Sequence, residues 1–209
     1  MIKKTLYSLI GSCAQFHKHH YVELGKLKST PSKADSDLWM RDEGDKYDYI
    51  AKYIDDLLLI SCNPMDILDK LRKPKGPYEF KGVGSPEYYL GGDIKIQYNC
   101  DKIEELQLTS ETYIKRICEK IESLMNWRLK GFMNPMDANY HAEIDNSNFL
   151  TGEEVSKYRM MVSSLNWLVT LGRDDIQYAV GTLARHMMTP RQGHMHAAKR
   201  LFEYLKQNY

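Results

Sequence analysis

The chain has 209 residues, 43% hydrophobic and 27% charged, so it can bury a core and is not composed like a disordered segment. Its 29 basic and 28 acidic residues leave a formal net charge of +1, which excludes a protein holding nucleic acid by bulk charge alone. No apolar run approaches the length of a membrane span.

In chain order, residues 3–28 predict a helix, with Leu6, Leu9, Ile10, Ala14, Phe16 and Leu24 near helical spacing and Gly25 as its stop. The basic start and the short apolar stretch after it are interrupted by Ser8, Gly11 and Ser12, which fits a helix start better than a secretory signal. Residues 38–40 and 47–61 predict two antiparallel strands around the polar turn 41–46. A helix over 64–73 is broken at Pro74 and Pro77. Residues 78–98 predict two short strands with a turn at 82–86, and Gly91-Gly92 marks a bulge or close backbone approach. Beyond residue 110 the pattern turns helical: 110–124, then a loop over 129–147, then 155–171 behind a Thr151 cap, 174–188 and 193–206. There is no internal repeat. The fold class is α+β followed by a helical bundle, with a boundary near Glu105.

Tyr53-Ile54-Asp55-Asp56 interrupts the second strand, and Leu57 to Ile60 resumes it. Two carboxylates inside a buried strand are costly unless paired or holding a metal. A hairpin corner resolves the conflict and presents both at one sheet edge. Such an acidic cluster suits magnesium, which takes a few carboxylates plus waters and phosphates, as in two-metal nucleotidyl transfer. The alternative is a surface turn with two solvated aspartates. His17, His19 and His20, and the pair His194 and His196, lack a third ligand at a persuasive spacing and predict no zinc. Cys13, Cys62, Cys100 and Cys118 form no CxxC pair and read as reduced intracellular thiols. Asp174 and Asp175 read as helix-start partners, and Lys199-Arg200 as a phosphate contact or a solvated face.

Together these segments resemble the reverse transcriptase of copia-type LTR retrotransposons almost from end to end. Lys4-Thr5-Leu6-Tyr7-Ser8-Leu9 with Phe16-His17 looks like the family's K-x-LYGL…W-H stretch, and Lys33 to Trp39 is similar to its KADPDLW strand entry. Tyr53 to Asp56 occupies the YxDD position, and Tyr88 to Ile94 looks like YFLG-x-x-I. In the last third, Lys157-Tyr158-Arg159, Ser163 to Leu168, Arg173 to Val180, Leu183-Ala184-Arg185, Pro190, His194 and Ala198 to Lys206 match in order.

The resemblance implies a partial palm subdomain over 1–105 and a helical thumb and connection over 106–209. It implies RNA-directed DNA polymerase chemistry on an RNA template and a DNA primer, with Mg2+ or Mn2+ as cofactor. Asp55 would be the direct metal ligand and Asp56 its support. Tyr53, Gly91, Gly92, Lys199 and Arg200 would lie along the primer or template.

The family's other catalytic aspartate lies on a strand upstream of the LYGL stretch. That strand, the fingers and the RNase H domain are expected to be absent from this chain, which would then not polymerise unless those polyprotein segments were supplied. Ser8, Gln15, Lys52 and His20 depart from the family pattern and suggest a degraded element. Two other functions are weighed against this one: a non-catalytic remnant acting as a weak nucleic-acid-binding or interaction module, and an unrelated metal-dependent hydrolase built on Asp55 and Asp56.

Overall fold

The computed structural model describes residues 12–209 except Asp55, Lys73, Lys75, Cys100 and Asp101. These residues divide into two compact units, separated between Pro86 and Glu87.

The first unit opens with α1 (Ser12–Lys26), followed by β1 (Thr30–Pro31), β2 (Leu38–Asp42), β3 (Tyr47–Tyr53), β4 (Asp56–Ile60) and α2 (Pro64–Leu71). The strands form one antiparallel sheet in sequence order. Burial alternates along β3: Asp48, Ile50 and Lys52 face inward, whereas Tyr47 and Tyr53 are exposed. That period of two is what a sheet with one covered face requires. Asn63 caps α2, with its side chain accepting from the Asp66 N–H, and Pro64 fits the first turn, where an N–H is not needed. Ile67, Leu68 and Leu71 then fall on one face of α2. Leu24, Trp39, Ile50, Ile67 and Leu71 make the small core, joined by Leu27, Leu57, Leu59, Tyr78 and Phe80 at its margin.

The second unit holds β5 (Tyr88–Tyr89), β6 (Gly92–Asn99) and β7 (Lys102–Thr109), then α3 (Glu111–Met125), α4 (Gly152–Thr170), α5 (Gln177–Ala184) and α6 (Gln192–Gln207). Short 3-10 turns stand at Ala142–Ile144 and Asp174–Ile176. Ile114, Ile117, Cys118 and Ile121 repeat at three and four residues and aim one stripe of α3 inward. They meet Tyr158, Met161, Leu165 and Leu168 of α4 and Ala198, Leu201, Phe202 and Leu205 of α6 in a continuous apolar core. The buried Tyr158 hydroxyl donates to the Leu183 carbonyl at 2.8 Å, so its polar tip is satisfied inside that core.

Three features differ from the sequence reading. The strands expected over 78–98 with a turn at 82–86 lie later, as β5, β6 and β7, and β7 has no counterpart in that reading. Its alternation is broken by Glu104-Glu105, and the pairing carries a bulge between Gln97 and Tyr98. The division between units also precedes residue 105. The β6–β7 hairpin belongs with the helices: the Asp93 carboxylate accepts from the Thr112 N–H at 2.9 Å, and Lys95 pairs with Glu111 at 3.4 Å. Finally, α1 continues through Gly25 to Lys26, and the chain turns at Lys28 with φ +61°.

Candidate functional site: the Tyr53–Asp56 turn

The β3–β4 register runs from Tyr49↔Ile60 to Tyr53↔Asp56, so the chain reverses immediately beyond that last pair. Tyr53, Ile54 and Asp56 are exposed, whereas Ile50 behind them is buried. The corner foreseen from the cost of buried carboxylates is therefore present, and Asp56 stands at its exposed end. Asp55 lies outside the described residues.

Ile54 adopts φ +50°. A β-branched residue with positive φ is strained, because its Cβ crowds the backbone. Tight hairpins demand such angles and usually fill them with Gly or Asn. Here the strain sits beside the two candidate metal-binding carboxylates.

Behind the turn, Lys52 is buried, its side chain 4% exposed, on the inward face of β3. Its Nζ lies 2.9 Å from Asp37 Oδ1 and 3.0 Å from His17 Nδ1, and its backbone N–H donates to the Asp37 carbonyl at 2.9 Å. A lysine at this otherwise apolar strand position is thus compensated within the fold. Nearby, His20 is buried, with its ring stacked on Tyr78 at 4.6 Å and meeting Phe16 edge-on at 4.6 Å. Burial, and then the Lys52 charge, push its pKa from 6.5 down to about 4, so the imidazole is neutral. Asp48 binds Arg41 at 2.6 Å. Burial alone would raise its pKa, but hydrogen bonds from Ser61 and Arg41 outweigh that and hold the carboxyl below its ordinary range.

The donor set decides what this turn can hold. Among the described residues, no group of three or more His, Cys, Asp or Glu side chains is placed to bind a metal ion. Asp56 supplies one carboxylate at the tip, enough to share a single magnesium ion with waters and phosphates but not to hold two. The described residues alone do not fit a two-metal centre.

The other expected site residues lie in the second unit. Gly91, at φ +93°, turns the chain between β5 and β6, and a Cβ there would come within 3.0 Å of Trp167 Nε1 on α4. A Cβ at Gly92 would come within 2.7 Å of Leu108. Both glycines lie close to side chains of the second unit. Lys199 lies over the Trp127 ring at 5.1 Å and 3.9 Å from Glu203. Arg200 binds Asp137 at 3.2 Å and covers the Phe132 ring at 4.5 Å. Asp175 is gripped through both oxygens by Arg173 at 2.9 and 2.8 Å and receives the Tyr204 hydroxyl at 2.9 Å, so it joins the 3-10 turn to α6. His194 is buried at the start of α6, where its Nδ1 accepts the Arg191 N–H at 2.9 Å; His196 is exposed. Lys52, Asp37, His17 and Ile54 were not foreseen as site residues, and the one signal pointing to them was a lysine in an otherwise apolar strand.

Comparison with known proteins finds relatives by sequence. The chain is 27% identical to a Ty5-1 transposon protein of Saccharomyces cerevisiae over 96% of its length and 62% of that protein's. It is 27% identical to the retrovirus-related Pol polyprotein from transposon RE1 of Arabidopsis thaliana, over 98% of this chain and 13% of that one. The chain is retrotransposon-derived. An uncharacterized mitochondrial protein of Arabidopsis thaliana is also similar, 25% identical over 76% of this chain and 61% of its own. The 209 residues thus span under two thirds of the Ty5-1 protein and about an eighth of the RE1 polyprotein. No protein-family model and no solved structure matches the chain. Lys4 to Leu9, part of the LYGL-like stretch, lie outside the described residues. No helix among the described residues is long and apolar enough to cross a membrane.

Proposed function

We propose that this chain is the palm and thumb portion of a copia-type reverse transcriptase, an RNA-directed DNA polymerase. The observation that carries the reading is the β3–β4 hairpin, which lifts Asp56 to an exposed corner at the end of two partly buried strands. The Pol polyprotein from RE1, to which the chain is similar along nearly its whole length, supports the same reading. Asp55 and Asp56 would be two of the carboxylates of a Mg2+ or Mn2+ site, and the upstream aspartate strand of such polymerases would supply a further one. The primer terminus would lie against Tyr53, beside the two carboxylates.

Primer extension on an RNA template tests this. These 209 residues alone are expected to give no product. Adding the Pol segment that carries the upstream aspartate strand should restore extension, and Asp55→Asn should abolish it again. Extension by the isolated 209 residues, or restored extension indifferent to Asp55→Asn, would sink the assignment.

A second reading, a non-catalytic remnant that associates with other chains, is favoured by one observation. Tyr98, Ile103, Leu106 and Leu108 of the β6–β7 hairpin are all more than half exposed. Apolar residues so grouped mark interaction surfaces more often than isolated ones do. Failure to extend even with the upstream segment supplied would leave this reading in place.

A further inference from the structure

The strain at Ile54 raises the question of what holds it. A β-branched residue at φ +50° persists only where its surroundings leave it no easier conformation. On one side of the turn, β4 is the last strand of its sheet and has β3 as its sole described neighbour. Its Leu57 and Leu59 pack at the margin of the small core and anchor that side of the turn by apolar contact. On the β3 side the anchor is polar.

Lys52 is the last inward-facing residue of β3 before the turn. An ammonium so deeply placed is costly, and an apolar side chain at the same point would bury more cheaply. Its two links to Asp37, through the backbone N–H and through Nζ, fasten the end of β3 to the residue just before β2. His17 adds a third element to the junction: the ammonium has only donors to offer, so the imidazole nitrogen facing it accepts, and α1 is joined to the same point. Three elements are thus tied together one residue before Tyr53.

We propose that Lys52 and Asp37 are a positioning pair, which holds the strained Tyr53–Asp56 turn in register and so fixes where the Asp56 carboxylate stands. The value of that position for chemistry rests on the polymerase reading; the mechanical role does not.

Amide hydrogen exchange on the full 209-residue chain tests the pair without calling on catalysis. In Lys52→Met, peptides spanning residues 51–58 are expected to exchange about tenfold faster, while those covering Trp39, α2 and the second unit keep their protection. Asp37→Asn should do the same more weakly, and Lys52→Arg should retain most of the protection. Should Lys52→Met fail to fold, Asp37→Asn decides by the same pattern. Unchanged exchange at the turn in both variants overturns the proposal. So does a parallel loss of protection throughout the first unit, which would make the pair a general stabiliser. Because primer extension is a separate measurement, a loosened turn in a chain that fails to polymerise even with the upstream segment supplied retains the positioning role and removes only the metal-site reading.

Discussion

His20 is a histidine whose burial has a thermodynamic signature. The unfolded chain takes up a proton near pH 6.5, whereas the folded one resists until about pH 4. Between those values the unfolded state binds more protons, so stability falls as the solution is acidified. A shift of that size corresponds to about 3 kcal/mol lost across the window. Asp48 adds its own loss lower down, because a depressed carboxyl stabilises the fold only above its unfolded value of 3.8. The two contributions are therefore separable in pH. In His20→Leu, the first unit should lose about 3 kcal/mol less than wild type between pH 6.5 and 4, measured by denaturant unfolding at each pH. Equal losses in the two proteins would show that the imidazole is not held neutral.

At the scale of elements, the two hairpins show what sequence does and does not make legible. The Tyr53–Asp56 corner could be read directly, because carboxylates in an apolar strand demand an explanation and a turn is the simplest one. The charge on Lys52 was equally visible, but its partner was not. Asp37 lies at the entry to β2, and only the Leu38↔Ala51 register brings it beside β3. His17 approaches from a helix, which no strand periodicity could reveal. In the other hairpin, β7 was hidden by an irregular pair of glutamates, whereas Gly91-Gly92 announced a close approach without saying to what. Within the second unit, a Cβ at Gly91 would meet the Trp167 indole and one at Gly92 would meet Leu108. Gly91→Ala combines an unfavourable φ with a clash at that indole, and is expected to cost the second unit about 1–3 kcal/mol. Urea unfolding should register it, and a neutral result would mean that Trp167 yields freely.

Across the whole chain, the two units differ in how much apolar surface they bury among their described residues. The fully buried core of the first consists of Leu24, Trp39, Ile50, Ile67 and Leu71, whereas that of the second extends through four helices. Small cores confer little stability. The first unit is expected to open first, so limited proteolysis should accumulate a fragment beginning near Glu87 and running to the C-terminal end. A resistant fragment from the first unit instead would reverse that order. The matches to the Ty5-1 and RE1 proteins cover both units. The helices over 157–206 were readable because their apolar residues repeat with the helix period, and many of the same residues build the larger core.

The β6–β7 hairpin has one further consequence. Its cross-strand pairs sort by side: Ile94 with Leu108, Ile96 with Leu106 and Tyr98 with Ile103 on one, Lys95 with Gln107 and Gln97 with Glu105 on the other. A ribbon wetted on one side and oily on the other is a surfactant in miniature. Dilute solutions of this protein should therefore lose material to air–water interfaces and plastic walls, and a trace of mild detergent, by coating that oily side, should keep it in solution.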